Sequence, residues 1–148
     1  MTLTALVKTR FQLCLKVLEI DMKVLLDTHL LIWAAAGKLP SKAIPYIDEK
    51  ANTLLFSSAS IWEIVIKSEL DRKDFSVDPC ALYHGLLCAG YKELPVTSRH
   101  CLLVKTLPKL HKDPFDRILL AQAACEAVML MTADEALAQY SGLVVDVG

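Results

Sequence analysis

Lys112-Asp113-Pro114-Phe115-Asp116-Arg117-Ile118-Leu119-Leu120-Ala121-Gln122-Ala123 delivers two carboxylates to the start of an otherwise apolar run. Asp113 fits an N-cap, Pro114 suits the first helical position, and Asp116 falls at the third, inside the first turn. The predicted helix continues to about Ala127. Carboxylates favour the positive end of a helix dipole, so capping alone accounts for this pair about as well as a functional role does. Acids elsewhere in the chain have to decide between the two.

At 148 residues and 54% hydrophobic content, the chain is expected to form one domain with a real core, and disorder is excluded. A formal net charge of -1 lacks the strongly basic signature of many nucleic-acid binders. A basic patch beside an acidic cleft would nevertheless vanish in such a neutral total. Cys14, Cys80, Cys88, Cys101 and Cys125 are an odd number with no C-x-x-C pair. Set among apolar residues, they read as reduced core thiols, which points to the cytoplasm. No run approaches the roughly 18 uncharged apolar residues that span a membrane.

Apolar residues occur throughout 1–21, but Lys8, Arg10, Lys16 and Glu19 interrupt them too often for a signal-peptide core. Leu3, Leu6, Val7, Leu13, Cys14 and Val17 approximate a helical stripe, which suits an amphipathic helix packed on the body or on a partner. The other reading starts the natural protein at Met22, with residues 1–21 as translated upstream sequence and 22–148 as the domain.

From Met22 onward, apolar strands alternate with helical patterns. Val24 to Leu26 reads as a strand buried on both faces, followed by a helix from Leu30 to Ala36 that Gly37 stops. Ser41 to Lys50 reads as a second helix, Thr53 to Phe56 as a strand, and Ser57-Ser58-Ala59-Ser60 as N-cap options for a helix carrying Glu63. Beyond the charged break Asp71 to Asp74, a helix from about Asp78 to Ala89, a strand from Glu93 to Val96 and a helix from Ser98 to Thr106 follow. A basic loop holds Lys105, Lys109, His111 and Lys112. After the Asp116 helix come a strand from Val128 to Met131, a helix opened by Thr132 to Glu135, and a strand from Leu143 to Val145. This alternation predicts an α/β domain around a mostly parallel sheet.

In such a sheet the binding crevice lies at the carboxyl ends of the strands, and four acids point there: Asp27, Glu63, Asp116 and Asp134. Glu63 has a structural alternative, because Ser60-Ile61-Trp62-Glu63 matches a capping box; that role disappears if Ser57 is the true cap. Thr132 and Glu135 match a second box, which leaves Asp134 free to face the crevice. Asp27 ends a buried strand without an obvious partner, though Lys23, Lys67 or Arg117 is available to it. Convergent carboxylates cannot all stay ionised near neutrality without a counter-charge, and a divalent ion is the economical one. Oxygen ligands without a Cys or His cluster favour Mg²⁺ or Mn²⁺ over Zn²⁺, and such sites handle phosphate esters.

Four stretches carry a resemblance. Leu25-Leu26-Asp27-Thr28-His29, Ser60-Ile61-Trp62-Glu63-Ile64, His111 with Asp113-Pro114-Phe115-Asp116-Arg117 and Ala121-Gln122-Ala123, and Thr132-Ala133-Asp134-Glu135 occur in the order and spacing of PIN-domain ribonucleases. From Met22 to about Val147 the chain resembles the VapC-like toxins of type II toxin-antitoxin pairs. The resemblance implies a three-layer α/β/α sandwich in which Asp27, Glu63, Asp116 and Asp134 hold Mg²⁺ or Mn²⁺ while water attacks an RNA phosphodiester. It also implies a cognate antitoxin as partner and a homodimer. Thr28, Asp113 and Thr132 are candidates to orient ligands, and His111, Lys112 and Arg117 to meet RNA phosphates; a solvated loop or local ion pairs account for these basic residues equally well.

Two rival functions are open to the same residues. One is a PIN-like scaffold that binds RNA or protein without catalysis, although such sites usually lose an acid. The other is phosphoryl transfer on small molecules, as in haloacid-dehalogenase-like phosphatases or receiver domains. Asp27-Thr28-His29 lacks both the D-x-D of the former and the paired acids of the latter.

Overall fold

The computed structural model describes residues 21–70, 75–140 and 142–148. The expectations for the segment before Asp21 and for the charged break at 71–74 lie outside the described residues. Five strands, β1 (Lys23–Leu26), β2 (Thr53–Ser57), β3 (Lys92–Leu94), β4 (Met129–Thr132) and β5 (Val144–Asp146), form one sheet in the order β3-β2-β1-β4-β5. Every pairing is parallel, and Leu25 of β1 lies between Leu55 and Leu130.

Side chains on successive strand residues point to opposite faces, and both faces here are covered. Val24, Leu26, Phe56 and Met131 pack into one core with Leu30, Leu31, Ile64, Leu82 and Leu86. These last five come from α1 (Thr28–Ala35), α3 (Ser58–Glu69) and α4 (Pro79–Cys88). Leu25, Leu55 and Leu130 pack oppositely, against Leu119, Leu120 and Ala123 of α6 (Pro114–Glu126) and Leu137 of α7 (Glu135–Ala138). The result is the three-layer α/β/α sandwich around a parallel sheet.

Boundaries shift where proline intervenes. The helix expected over Ser41 to Lys50 is only α2 (Ile44–Asp48), with Pro45 in its first turn, because proline cannot sit deeper in a helix. β3 stops at Leu94, one residue before Pro95, which has no N–H to donate to a sheet ladder. Ser98 to Thr106 gives the shorter α5 (Ser98–Val104).

Cys80, Cys88 and Cys101 are exposed and Cys125 is half-buried, all as free thiols, so the core reading fails for them. In α4 the inward positions belong to Leu82 and Leu86 instead. Among the described residues, no helix is long and apolar enough to cross a membrane.

The chain runs outward from β1 through β2 to β3, then returns to β1's other side at β4. This reversal is a topological switch point, the place where open α/β sheets form their crevice.

Candidate active site

Asp27 follows β1 directly and caps α1: Oδ1 accepts the backbone N–H of Leu30 at 2.8 Å. Oδ2 accepts the hydroxyl of Thr132, the last residue of β4. This is a correction, since the carboxylate has two partners and neither is a cation. The cap was hidden because the helix begins at Thr28 rather than Leu30. Burial pushes the Asp27 carboxyl above its ordinary range; the bonds to Thr132 and Leu30 and the charge of His29 oppose this, and Asp134 adds to it.

Ser57 is the N-cap of α3, its hydroxyl accepting from Ala59 N–H at 3.0 Å, so Glu63 has no capping role. Glu63 sits in the second turn at 5% exposure. An unpaired carboxylate there would be costly, and the site supplies two partners. Thr28 Oγ1 donates to Glu63 Oε2 at 2.5 Å, and Lys67 Nζ meets Oε1 at 2.8 Å. Thr28 also lies 3.0 Å from the buried Ser60 hydroxyl.

Asp113 is the N-cap of α6, its Oδ1 accepting from Phe115 N–H at 2.8 Å and more weakly from Asp116 N–H at 3.4 Å. Asp116 is thereby released from capping and turned toward the other acids. Burial raises its carboxyl to about 7, Asp113, Glu63 and Asp27 push the same way, and His111 opposes them.

Asp134 departs from expectation. It is itself the N-cap of α7, with Oδ1 accepting from Ala136 N–H at 2.9 Å. Thr132 forms no box with Glu135; its hydroxyl instead accepts the N–H of Asp134 at 3.0 Å while donating to Asp27. Only Asp134 Oδ2 remains uncommitted to the cap, 3.5 Å from His111 Nε2.

His111 Nε2 lies 3.3 Å from Asp116 Oδ2 as well, and the ligand atoms of His111, Asp116 and Asp134 fall within 4.8 Å of one another. Lys112, next in the chain to His111, is exposed. Arg117 turns away, donating from Nη2 to the carbonyl of Val104 at the end of α5 at 3.0 Å. Sequence reasoning took Ser60 only as a capping option and Lys67 only as a partner for Asp27, and it passed over Tyr140. The i,i+4 spacing of Glu63 and Lys67 was the one available signal for these.

Hard oxygen donors gathered from four segments, two of them pushed toward protonation by burial and by one another, are the donor set a divalent cation would relieve. Of the four acids, Asp116 and Asp134 lie close enough to share one with His111, while Asp27 and Glu63 belong to no such close group among the described residues. A second group, His100, Cys125 and Glu126, lies away from these acids. Its histidine is already satisfied: Nδ1 accepts from Thr97 N–H at 3.0 Å, and Nε2 faces Glu126 Oε1 at 2.8 Å.

A search of curated proteins gives no match in sequence. Solved structures match the fold. VapBC2 from Rickettsia felis, bound to a promoter DNA fragment, aligns at TM-score 0.66 and 15% identity over 84% of this chain and 98% of its own. DNA-bound VapBC from Salmonella typhimurium aligns at 0.62 and 16% identity over 86% and 99%. VapBC-1 from nontypeable Haemophilus influenzae aligns at 0.61 and 18% identity over 84% and 98%. The family model of the PIN domain matches residues 24–143, a span that holds all four acids, and the chain belongs to the PIN-domain family.

Proposed function

We propose that this PIN domain, running from Met22 to the end of the chain, is a divalent-metal-dependent endoribonuclease. It acts as the toxin of a type II toxin-antitoxin pair, in the cytoplasm, as a homodimer restrained by a cognate antitoxin. The observation that carries the nuclease reading is the electrostatic meeting of the acids. Burial first and Asp113 next raise the Asp116 carboxyl, with smaller additions from Glu63 and Asp27, and burial raises Asp27 with a smaller addition from Asp134, at the switch point of a parallel sheet. The toxin reading is supported by the fold shared with chains of VapBC assemblies and with a toxin-antitoxin complex from Klebsiella pneumoniae.

Asp27, Glu63, Asp116 and Asp134 would hold Mg²⁺ or Mn²⁺, which would supply Lewis acidity for phosphodiester hydrolysis. The chain's own residues prepare that site. Thr28 and Thr132 fix the orientations of Glu63 and Asp27 by hydroxyl hydrogen bonds. Lys67 offsets the charge of Glu63. Exposed Lys112, next to His111 in the chain, offers a positive charge to backbone phosphates of an RNA strand.

The test is incubation of a labelled, mixed RNA pool with antitoxin-free protein, with Mn²⁺, with Mg²⁺ and with a chelator, beside Asp27→Asn. The reading expects cleavage that needs the ion and is lost in the variant. Cleavage that survives chelation or the Asp27→Asn change overturns it. RNA binding without cutting transfers the protein to the scaffold class.

A further inference from the structure

His111 stands between two of the four acids, on a loop rather than on a helix or strand. Its side chain is only 14% exposed, and Nε2 faces Asp116 Oδ2 at 3.3 Å and Asp134 Oδ2 at 3.5 Å. That spacing suits either a shared cation or a hydrogen-bond donor. The other ring nitrogen decides between them. Nδ1 accepts the backbone N–H of Asp113 at 3.1 Å, so it presents a lone pair and the proton of a neutral ring sits on Nε2. Nε2 then carries the proton and faces two carboxylate oxygens at ion-pair distance, without a closed hydrogen bond to either. It could ligate an ion only by moving its proton to Nδ1, which would set that proton against the Asp113 N–H.

The loop is pinned from below. Tyr140, buried in the core layer with Leu119 and Leu120 of α6, uses one hydroxyl oxygen three times. It accepts the backbone N–H of Leu110 at 3.1 Å and of His111 at 3.0 Å, and it donates to the carbonyl of Pro108 at 2.7 Å. The loop that carries His111 and the helix that carries Asp116 therefore share an anchor.

We propose, resting on the acidic-site reading above, that His111 is a positioning residue seated by the Tyr140 hydroxyl. Its Nε2–H holds the Asp116 and Asp134 carboxylates in place for a divalent cation that His111 itself does not ligate. The role is that of an outer partner, whose removal typically weakens metal binding 10- to 100-fold, roughly.

The experiment titrates Mn²⁺ alone into the full chain, following free ion by electron paramagnetic resonance and nitrogen contact by spin-echo modulation, with circular dichroism as the fold control. Wild type is expected to bind Mn²⁺ without a directly coordinated nitrogen. His111→Ala weakens binding about 10- to 100-fold. His111→Gln, whose amide N–H reaches toward the position of Nε2–H, recovers most of it. Tyr140→Phe keeps the ring and loses the three bonds, and it shifts affinity in the same direction as His111→Ala. Strong nitrogen coupling in wild type that His111→Ala abolishes makes His111 a ligand and overturns the proposal, as does unchanged affinity in both His111→Ala and Tyr140→Phe. A wild-type chain that binds no Mn²⁺ contradicts the acidic site itself, a separate failure that takes this inference with it.

Discussion

The Thr132 hydroxyl donates to Oδ2 of Asp27 across the switch point, joining the end of β4 to the end of β1. Thr132 is fully buried, and the same oxygen accepts the N–H of Asp134. Thr132→Val keeps the shape but strands a buried carboxylate oxygen and a backbone donor, at a cost of about 2–4 kcal/mol. Thr132→Ser restores most of it. Urea unfolding of the two variants measures the difference, and RNA cleavage should follow the same order.

Without metal, the protein is expected to lose stability as pH rises from about 4 toward 7. Asp116 has its folded carboxyl raised from 3.8 to about 7, so over that interval the folded state holds the proton more tightly than the unfolded chain. Its contribution is favourable below the unfolded value and is lost through the folded one. Cation binding needs the deprotonated form, so Mn²⁺ should raise Tm little at about pH 5.5 and strongly at about pH 8.5. Scanning calorimetry at both pH values checks this.

Lys67 faces Glu63 at 2.8 Å from the next turn of α3. Lys67→Met leaves a nearly buried carboxylate without its counter-charge. The cost is about 1–3 kcal/mol, below that of a fully buried pair because the lysine reaches solvent. Saturating Mn²⁺ should recover more stability in this variant than in wild type, as thermal melts with and without the ion would record.

Asp113 and Asp116 are separated by role. Asp113→Asn keeps a capping side chain, so stability should change by a few tenths of a kcal/mol, roughly, whereas Asp113→Ala should cost about 1 kcal/mol. Asp113 also raises the Asp116 carboxyl, so Asp113→Asn should move the pH dependence of Mn²⁺ binding to lower pH. Isothermal titration across pH distinguishes a cap from a ligand.

Much of the architecture was legible because β1, β2 and β4 each carry a short apolar run that a polar turn closes, whereas β3 is Lys92-Glu93-Leu94. That Asp27, Glu63 and Asp116, and Asp27 and Asp134, feel one another's charge agrees with the rule that parallel strands end on one side. What escaped was hydrogen-bond assignment. Whether Asp27 or Asp134 caps a helix depends on two-residue choices of helix start, and spacing does not resolve these. Tyr140 lies 29 residues from His111, and no local pattern announces their contact. The cysteines misled because apolar neighbours in sequence say little about which side of a helix faces out.

The most direct measurement pairs activity with stability in Asp116→Asn. The account predicts that RNA cleavage falls about 100-fold or more, because a cation-holding carboxylate is gone. It also predicts that the metal-free variant melts higher than wild type near pH 8, since the difference between 3.8 and about 7 is worth up to about 4 kcal/mol. Retained cleavage would contradict the account, and so would a variant that loses cleavage only because it melts lower.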